Sequence, residues 1–294
     1  MTDEKKTYSL LTLTTIIWGV QPLCAKLLVA QWSPVALTYI RYFFISAILF
    51  TILYWRRDRG IFPPRDCLVL LIGMGLSGIA GNSIAQFTGL KYSTVTNCTL
   101  ISATSPAVTA FLSAFFIRER LSLLSWLGIF VSFSGVILIV SQGICSTIMT
   151  IDFNRGDLLF FVCQIFWSIY SLLGLKAMKK LSAIAATAWA GLFGAIFTLL
   201  FGLFSGQAAL TELTVLSWWA FFYMVFFGGV MAMIFWNIGV KNAGPSLTAI
   251  FQNITPVVGM LGGWFFFGES IGWIEILGAL TIFSGVYLTM HQKQ

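Results

Sequence analysis

The chain has 294 residues, of which 58% are hydrophobic and only 9% charged, against roughly 25% charged in a soluble domain, and its mean hydropathy is +0.91. So much apolar surface cannot be hidden inside a water-soluble fold, which excludes a soluble enzyme, a disordered protein and a secreted disulfide scaffold. The net charge of +7 would suggest nucleic acid in a soluble protein; here the basic residues sit between apolar runs, so the expected partner is the lipid bilayer and not nucleic acid.

Apolar runs of about 20 residues, the length that crosses a bilayer, predict an all-α polytopic membrane protein with ten transmembrane spans. They fall near 8–30, 34–55, 67–90, 93–116, 122–141, 157–177, 183–204, 215–238, 245–267 and 272–290. Span 1 follows Lys5 and Lys6 as a signal peptide would. Leu23 precedes Cys24, however, which does not fit a lipoprotein cleavage site, so the span is expected to be retained. The five cysteines are scattered, with no CxxC, and read as small apolar packers; no metal or other cofactor is expected.

Span 1 places Thr14, Trp18 and Gln21 on one face, and ends near Lys26, which is long enough to snorkel toward the interface. Span 2 carries Arg41, roughly 6 Å from the midplane at 1.5 Å rise per residue, with no carboxylate at its depth. It suits either backbone carbonyls at a helix end or an anionic substrate group. Span 3 offers Asn82 and Gln86 one turn apart. Span 4 carries Pro106, which removes a backbone hydrogen bond and frees the carbonyl of Ser102. Span 6 repeats the stripe of span 1 with Gln164, Trp167, Ser168 and Ser171, and span 8 has Trp236 where span 3 has Gln86. Span 9 carries Pro256, which frees the carbonyl of Gln252, beside Asn253. Polar groups at membrane depth are costly and face the bundle interior. The expected substrate-binding set is therefore Trp18, Gln21, Arg41, Asn82, Gln86, Ser102, Gln164, Trp167, Trp236, Gln252 and Asn253, with Pro106 and Pro256 as hinges or kinks. Spans 5 and 10 carry Gly128, Gly135, Gly278 and Gly285, seven apart in each. Small residues permit close helix contact, either between halves of the chain or in a homodimer.

Thirteen Lys and Arg fall on the side of the N-terminus and two, Lys91 and Arg155, on the other. The positive-inside rule then puts both termini in the cytoplasm. The chain also repeats itself at an offset of 150. Gly89, Lys91, Pro106 and Glu119 match Gly239, Lys241, Pro256 and Glu269, and Gly128 and Gly135 match Gly278 and Gly285. Two halves, 1–145 and 150–294, would each hold five spans, and an odd number sets them in opposite topology. Inverted repeats mark alternating-access carriers whose substrate site lies near the midplane.

Two five-span halves, Trp18-Gly19 in span 1, Lys26, Arg41, and a mid-span proline followed by a terminal Glu in spans 4 and 9 resemble the drug/metabolite transporter superfamily, and within it the EamA-type ten-helix carriers. The resemblance implies a carrier of the inner membrane that works by alternating access without ATP or a prosthetic group, and its members include amino-acid exporters. Bottom-up, no Asp or Glu lies in the middle of a span, the one His is His291 in the tail, and there is no Walker motif. This argues against a carboxylate relay and against an intramembrane enzyme. The expectation is a secondary transporter exporting or exchanging a small metabolite, an amino acid or a related compound. The alternative is a non-transporting membrane partner or lipid-handling subunit.

Overall fold

The computed structural model describes residues 3–58, 61–116, 122–140, 143 and 154–290. Glu119 and His291, singled out in the sequence, lie outside the described residues, as do Arg118, Arg120 and Cys145. Everything regular among the described residues is helical. The helices are α1 (Asp3–Leu28), α2 (Pro34–Trp55), α3 (Arg65–Met74), α4 (Asn82–Tyr92), α5 (Val95–Ser102), α6 (Ser105–Phe116) and α7 (Leu123–Val140). They continue with α8 (Arg155–Ala177), α9 (Ala183–Ser205), α10 (Val215–Val225), α11 (Ala232–Ala243), α12 (Pro245–Ile250), α13 (Thr255–Phe267) and α14 (Trp273–Met290).

Seven runs are long and apolar enough to cross a bilayer: α1, α2, α3 through α4, α8, α9, α10 through α11, and α12 through α13. The pair α5 and α6, bent by 40°, makes an eighth if it is one broken span, and α7 and α14 hold shorter apolar stretches, Leu123–Ile139 and Trp273–Leu288. Helix starts follow the local chemistry. Ser33, Thr94, Ser182 and Thr214 each accept a hydrogen bond from the N–H three residues on, which satisfies a donor that the first turn leaves free. Large aromatic side chains such as Trp55, Phe204, Trp218, Trp219 and Trp273 point outward, as a membrane-facing belt requires.

Two long runs are not regular α-helix throughout. Gly75–Gly81 separates α3 from α4 as a π-helical segment, and Phe226–Met231 separates α10 from α11 in the same way. The prolines act at helix starts. Pro106 is the second residue of α6, after the break at Ala103–Thr104, and Pro256 is the second residue of α13, after a 3-10 turn at Phe251–Ile254. At such positions the missing N–H costs little. The glycine stripes face each other within one chain. A Cβ on Gly135 would lie 2.9 Å from the Gly278 carbonyl oxygen, and one on Gly285 would lie 2.6 Å from that of Gly128. The small residues thus bring α7 and α14 into backbone contact.

Candidate functional site

A cavity opens where helices from both ends of the sequence converge. From the first half, α1 supplies Trp18, Gln21 and Pro22, and α2 supplies Arg41 and Tyr42. The start of α4 supplies Asn82, Ser83 and Gln86, and α5 supplies Thr99 and Ser102. From the second half come Gln164 and Trp167 of α8, Met233 of α11, Gln252 of the 3-10 turn and Thr255 of α13. The space among them, with the open mouth included, is about 630 Å³.

Nine of the eleven residues expected at a substrate site line this cavity. Trp236 and Asn253 do not. Trp236 is 1% exposed and stands behind the wall, with its ring centroid 5.2 Å from Trp18 and 5.5 Å from Trp167. Its Nε1 donates to Ser171 Oγ at 3.2 Å. Asn253 is half-buried beside the cavity residue Gln252, and its Oδ1 is buried with no hydrogen-bond partner. Sequence reasoning missed Tyr42, Ser83, Thr99 and Thr255. Their hydroxyls carried weak signals, because Ser and Thr so often bond their own helix, as Thr99 Oγ1 does with Val95 and Thr96. The one available cue was spacing, since Thr99 lies one turn before Ser102.

Arg41 sets the electrostatics. It is 2% exposed. Its Nη2 reaches Gln21 Oε1 only at 3.4 Å, and its Nε has no hydrogen-bond partner. The guanidinium otherwise lies over the Tyr42 and Phe87 rings, at 4.8 and 5.8 Å. Among the described residues the ion pairs are Lys26–Glu269 and Lys180–Asp66, neither of which involves Arg41. A buried cation without a counter-charge costs several kcal/mol, and among the described residues no carboxylate pairs with Arg41. Of the two arrangements expected for Arg41, its side-chain bond is to Gln21 and not to a backbone carbonyl.

The remaining polar atoms are partly committed. Asn82 Nδ2 donates to the Cys163 carbonyl at 3.0 Å, and Gln164 Nε2 donates to Ser102 Oγ at 3.3 Å and to the Phe160 carbonyl at 3.2 Å. The bonds to Cys163 and Ser102 tie α8 to α4 and α5, and the third stays within α8. Trp18 Nε1 donates to the carbonyl of Gly228 at 3.0 Å, within the second π segment. π segments recur at functional sites because they re-aim backbone groups. Here Gly228 lies so close to Gln21 that a Cβ would fall 2.3 Å from its Oε1. Trp167 stacks on Tyr170 at 4.8 Å, and its Nε1 has no partner. Two donors of cavity-lining residues, Arg41 Nε and Trp167 Nε1, are thus buried without a hydrogen-bond partner.

A model of the EamA-like transporter family matches the chain twice, over residues 5–141 and 154–291. An uncharacterized transporter of Bacillus subtilis, YyaM, is 31% identical over 263 residues, covering 89% of this chain and 86% of that protein. An uncharacterized transporter of Archaeoglobus fulgidus is 29% identical and covers 99% of each chain. The uncharacterized inner membrane transporter YedA of Escherichia coli K12 is 27% identical over 94% of this chain and 88% of its own. A crystal structure matches at a TM-score of 0.71 and 18% identity, covering 99% of both chains, which establishes a shared fold.

Proposed function

The chain belongs to the EamA-like transporter family and is a multi-pass membrane transporter, and from that premise we propose that it is a secondary carrier of a small carboxylate-bearing metabolite, an amino acid or a related compound. It exports or exchanges this substrate by alternating access. Ten spans form two five-helix repeats of opposite topology, 1–145 and 150–294, in the cytoplasmic membrane with both termini inside. The substrate binds between the repeats, in the cavity built by α1, α2, α4, α5, α8, α11 and α13.

The single observation that carries this reading is Arg41, a buried guanidinium without a counter-ion in a cavity walled by both halves. A guanidinium fork matches a carboxylate in two parallel bonds. The neighbouring amides of Gln21, Gln86 and Gln252 suit an amino or hydroxyl group, and the Trp18–Trp167 wall suits an apolar side chain. The repeat reading draws support from the two family matches and from π segments that begin at residues 75 and 226. Rocking of one repeat against the other about a fixed site then needs no ATP.

The test is uptake by proteoliposomes of labelled neutral and aromatic amino acids, organic phosphates and organic cations, with and without the same compound trapped inside. Saturable carboxylate uptake that trapped substrate accelerates, and that Arg41→Gln lowers by roughly 10- to 100-fold, supports the proposal. Uptake of cations alone, or no uptake of any class by folded protein, overturns it.

A further inference from the structure

Gly228 touches two cavity residues at once. It lies in the π-helical segment Phe226–Met231, where its carbonyl accepts from Trp18 Nε1 at 3.0 Å. One turn further along α1, Gln21 fills the space that a side chain at 228 would take. A Cβ there would fall 2.3 Å from Gln21 Oε1 and 3.3 Å from its Cδ. Tyr223, in α10, donates its hydroxyl to the Ile17 carbonyl at 2.9 Å. The backbone of α1 is thereby pinned to the second half just before Gln21, and the Gln21 amide comes to rest against Gly228. The π segment 150 residues earlier does not reach the cavity in this way. A Cβ on Gly78 would fall 2.3 Å from Cδ2 of Tyr170, and Tyr170 is stacked on the cavity residue Trp167.

Gln21 Oε1 also meets Arg41, whose Nη2 is 3.4 Å away. A guanidinium carries donors only, so the amide oxygen and not the amide nitrogen belongs on this side. A carboxylate seated on Arg41 sets its own oxygens near that amide oxygen, acceptor beside acceptor. An N–H or O–H on the carbon next to the carboxylate supplies the donor that relieves this, and an acid without one leaves the amide oxygen without a partner. A site built around a fixed hydrogen-bonding group rejects the analogue that lacks the matching group more strongly than an apolar pocket rejects a missing methylene.

We propose that Gly228 is a positioning residue that fixes Gln21 Oε1 beside Arg41, and that this arrangement makes the carrier select acids with an amino or hydroxyl group at C2 over the unsubstituted acid. The inference rests on the reading of Arg41 as the carboxylate anchor. Gly228→Ala keeps the carbonyl that holds Trp18. Its new methyl meets only the far end of a flexible side chain, so the Gln21 amide moves and the helices stay in place. The effect of the substitution therefore falls on selection more than on folding.

The experiment is protection of the full chain in detergent against thermal unfolding, titrated with leucine and phenylalanine and with the 2-hydroxy and C2-unsubstituted analogues of each. Within each series the side chain is constant and only C2 changes. The amino and hydroxy acids are expected to bind about tenfold more tightly than the unsubstituted acid, the ratio that one hydrogen bond supports. Gly228→Ala and Gln21→Ala should each bring that ratio close to one, and the double variant should go no further than either alone. A merely structural role for Gly228 would weaken all the acids alike and would persist in the Gln21→Ala background. Gly229→Ala is the control. Its Cβ would meet Ile45 Cδ1 at 2.2 Å, which disturbs the same segment away from Gln21, so the ratio should survive even where the melting temperature falls. Gln21→Asn withdraws the amide by one methylene and serves if Gly228→Ala fails to fold. Parent affinities that ignore C2, or a ratio that Gly228→Ala and Gln21→Asn leave intact, overturn the proposal; if Arg41→Gln still weakens every acid, the carboxylate anchor stands. Protection by none of the acids, or protection that Arg41→Gln leaves unchanged, overturns the anchor reading instead.

Discussion

Glu269 Oε1 lies 2.6 Å from Lys26 Nζ, joining residues 243 positions apart across the boundary between the two family-matched stretches. Burial by itself would raise the Glu269 carboxyl. The Lys26 ammonium, the N–H groups of Val95 and Thr96 and the Thr96 hydroxyl outweigh it, and hold the group below its ordinary range. A carboxyl depressed in the folded state adds stability that is fully present above the unfolded value, roughly 4.3, and is lost as pH falls through the folded value. The melting temperature in detergent should therefore fall on acidification over that window. Glu269→Gln should melt lower at neutral pH and show a flatter acid limb. Parallel curves for the two proteins would mean that the network contributes nothing to stability.

Arg41→Gln should reduce carboxylate uptake by roughly 10- to 100-fold, the equivalent of the 1.5–3 kcal/mol typical of a hydrogen bond to a charged group. Its melting temperature should hold or rise, because the substitution removes a buried charge that the protein leaves unpaired. Arg41→Lys keeps a charge but not the planar fork, and should retain part of the uptake. Wild-type flux in Arg41→Gln would remove Arg41 from the site.

The two tryptophans that touch each other should separate in function. Trp18 lines the cavity and Trp236 stands behind it. Trp236→Phe loses the bond to Ser171 and should cost about 1 kcal/mol of stability while leaving the ranking of substrates unchanged. Trp18→Phe loses the bond to the Gly228 carbonyl and should alter that ranking in competition assays. An identical ranking in both variants would argue that Trp18 is wall and not contact.

Gly285→Ala should separate α7 from α14. The new Cβ would lie 2.3 Å from the Ser132 nitrogen and 2.6 Å from the Gly128 carbonyl oxygen, and neither backbone atom can swing aside as a side chain does. A loss of about 1–3 kcal/mol is expected, as for an overpacked core, read as a lowered melting temperature. Unchanged melting would show that the two helices part without cost.

Much of the site is legible in the sequence because the bilayer penalises polarity. Gln21, Arg41, Asn82, Gln86, Gln164 and Gln252 stand out against apolar runs, and all six reach the cavity. Other features were not legible, for specific reasons. Lys26 reads as a snorkelling chain until the fold brings Glu269 to it. The π segments at Gly75–Gly81 and Phe226–Met231 leave only glycines as a trace. Asn253 looks equivalent to Gln252, yet the 3-10 turn directs the two differently. The prolines at 106 and 256 read alike too, although one follows a 40° bend and the other a tightened turn.

Composition, apolar run length and the spacing of rare polar residues determined by themselves that this chain is a helical membrane protein with a polar interior, since the cost of placing a polar group in hydrocarbon acts on each residue locally. Which polar groups share a cavity, which carboxylate meets Lys26, and that Arg41 meets none among the described residues were decided by the tertiary structure alone. Those outcomes depend on how helices far apart in sequence rotate and cross, and helix–helix packing, unlike span length, is a property of pairs of surfaces.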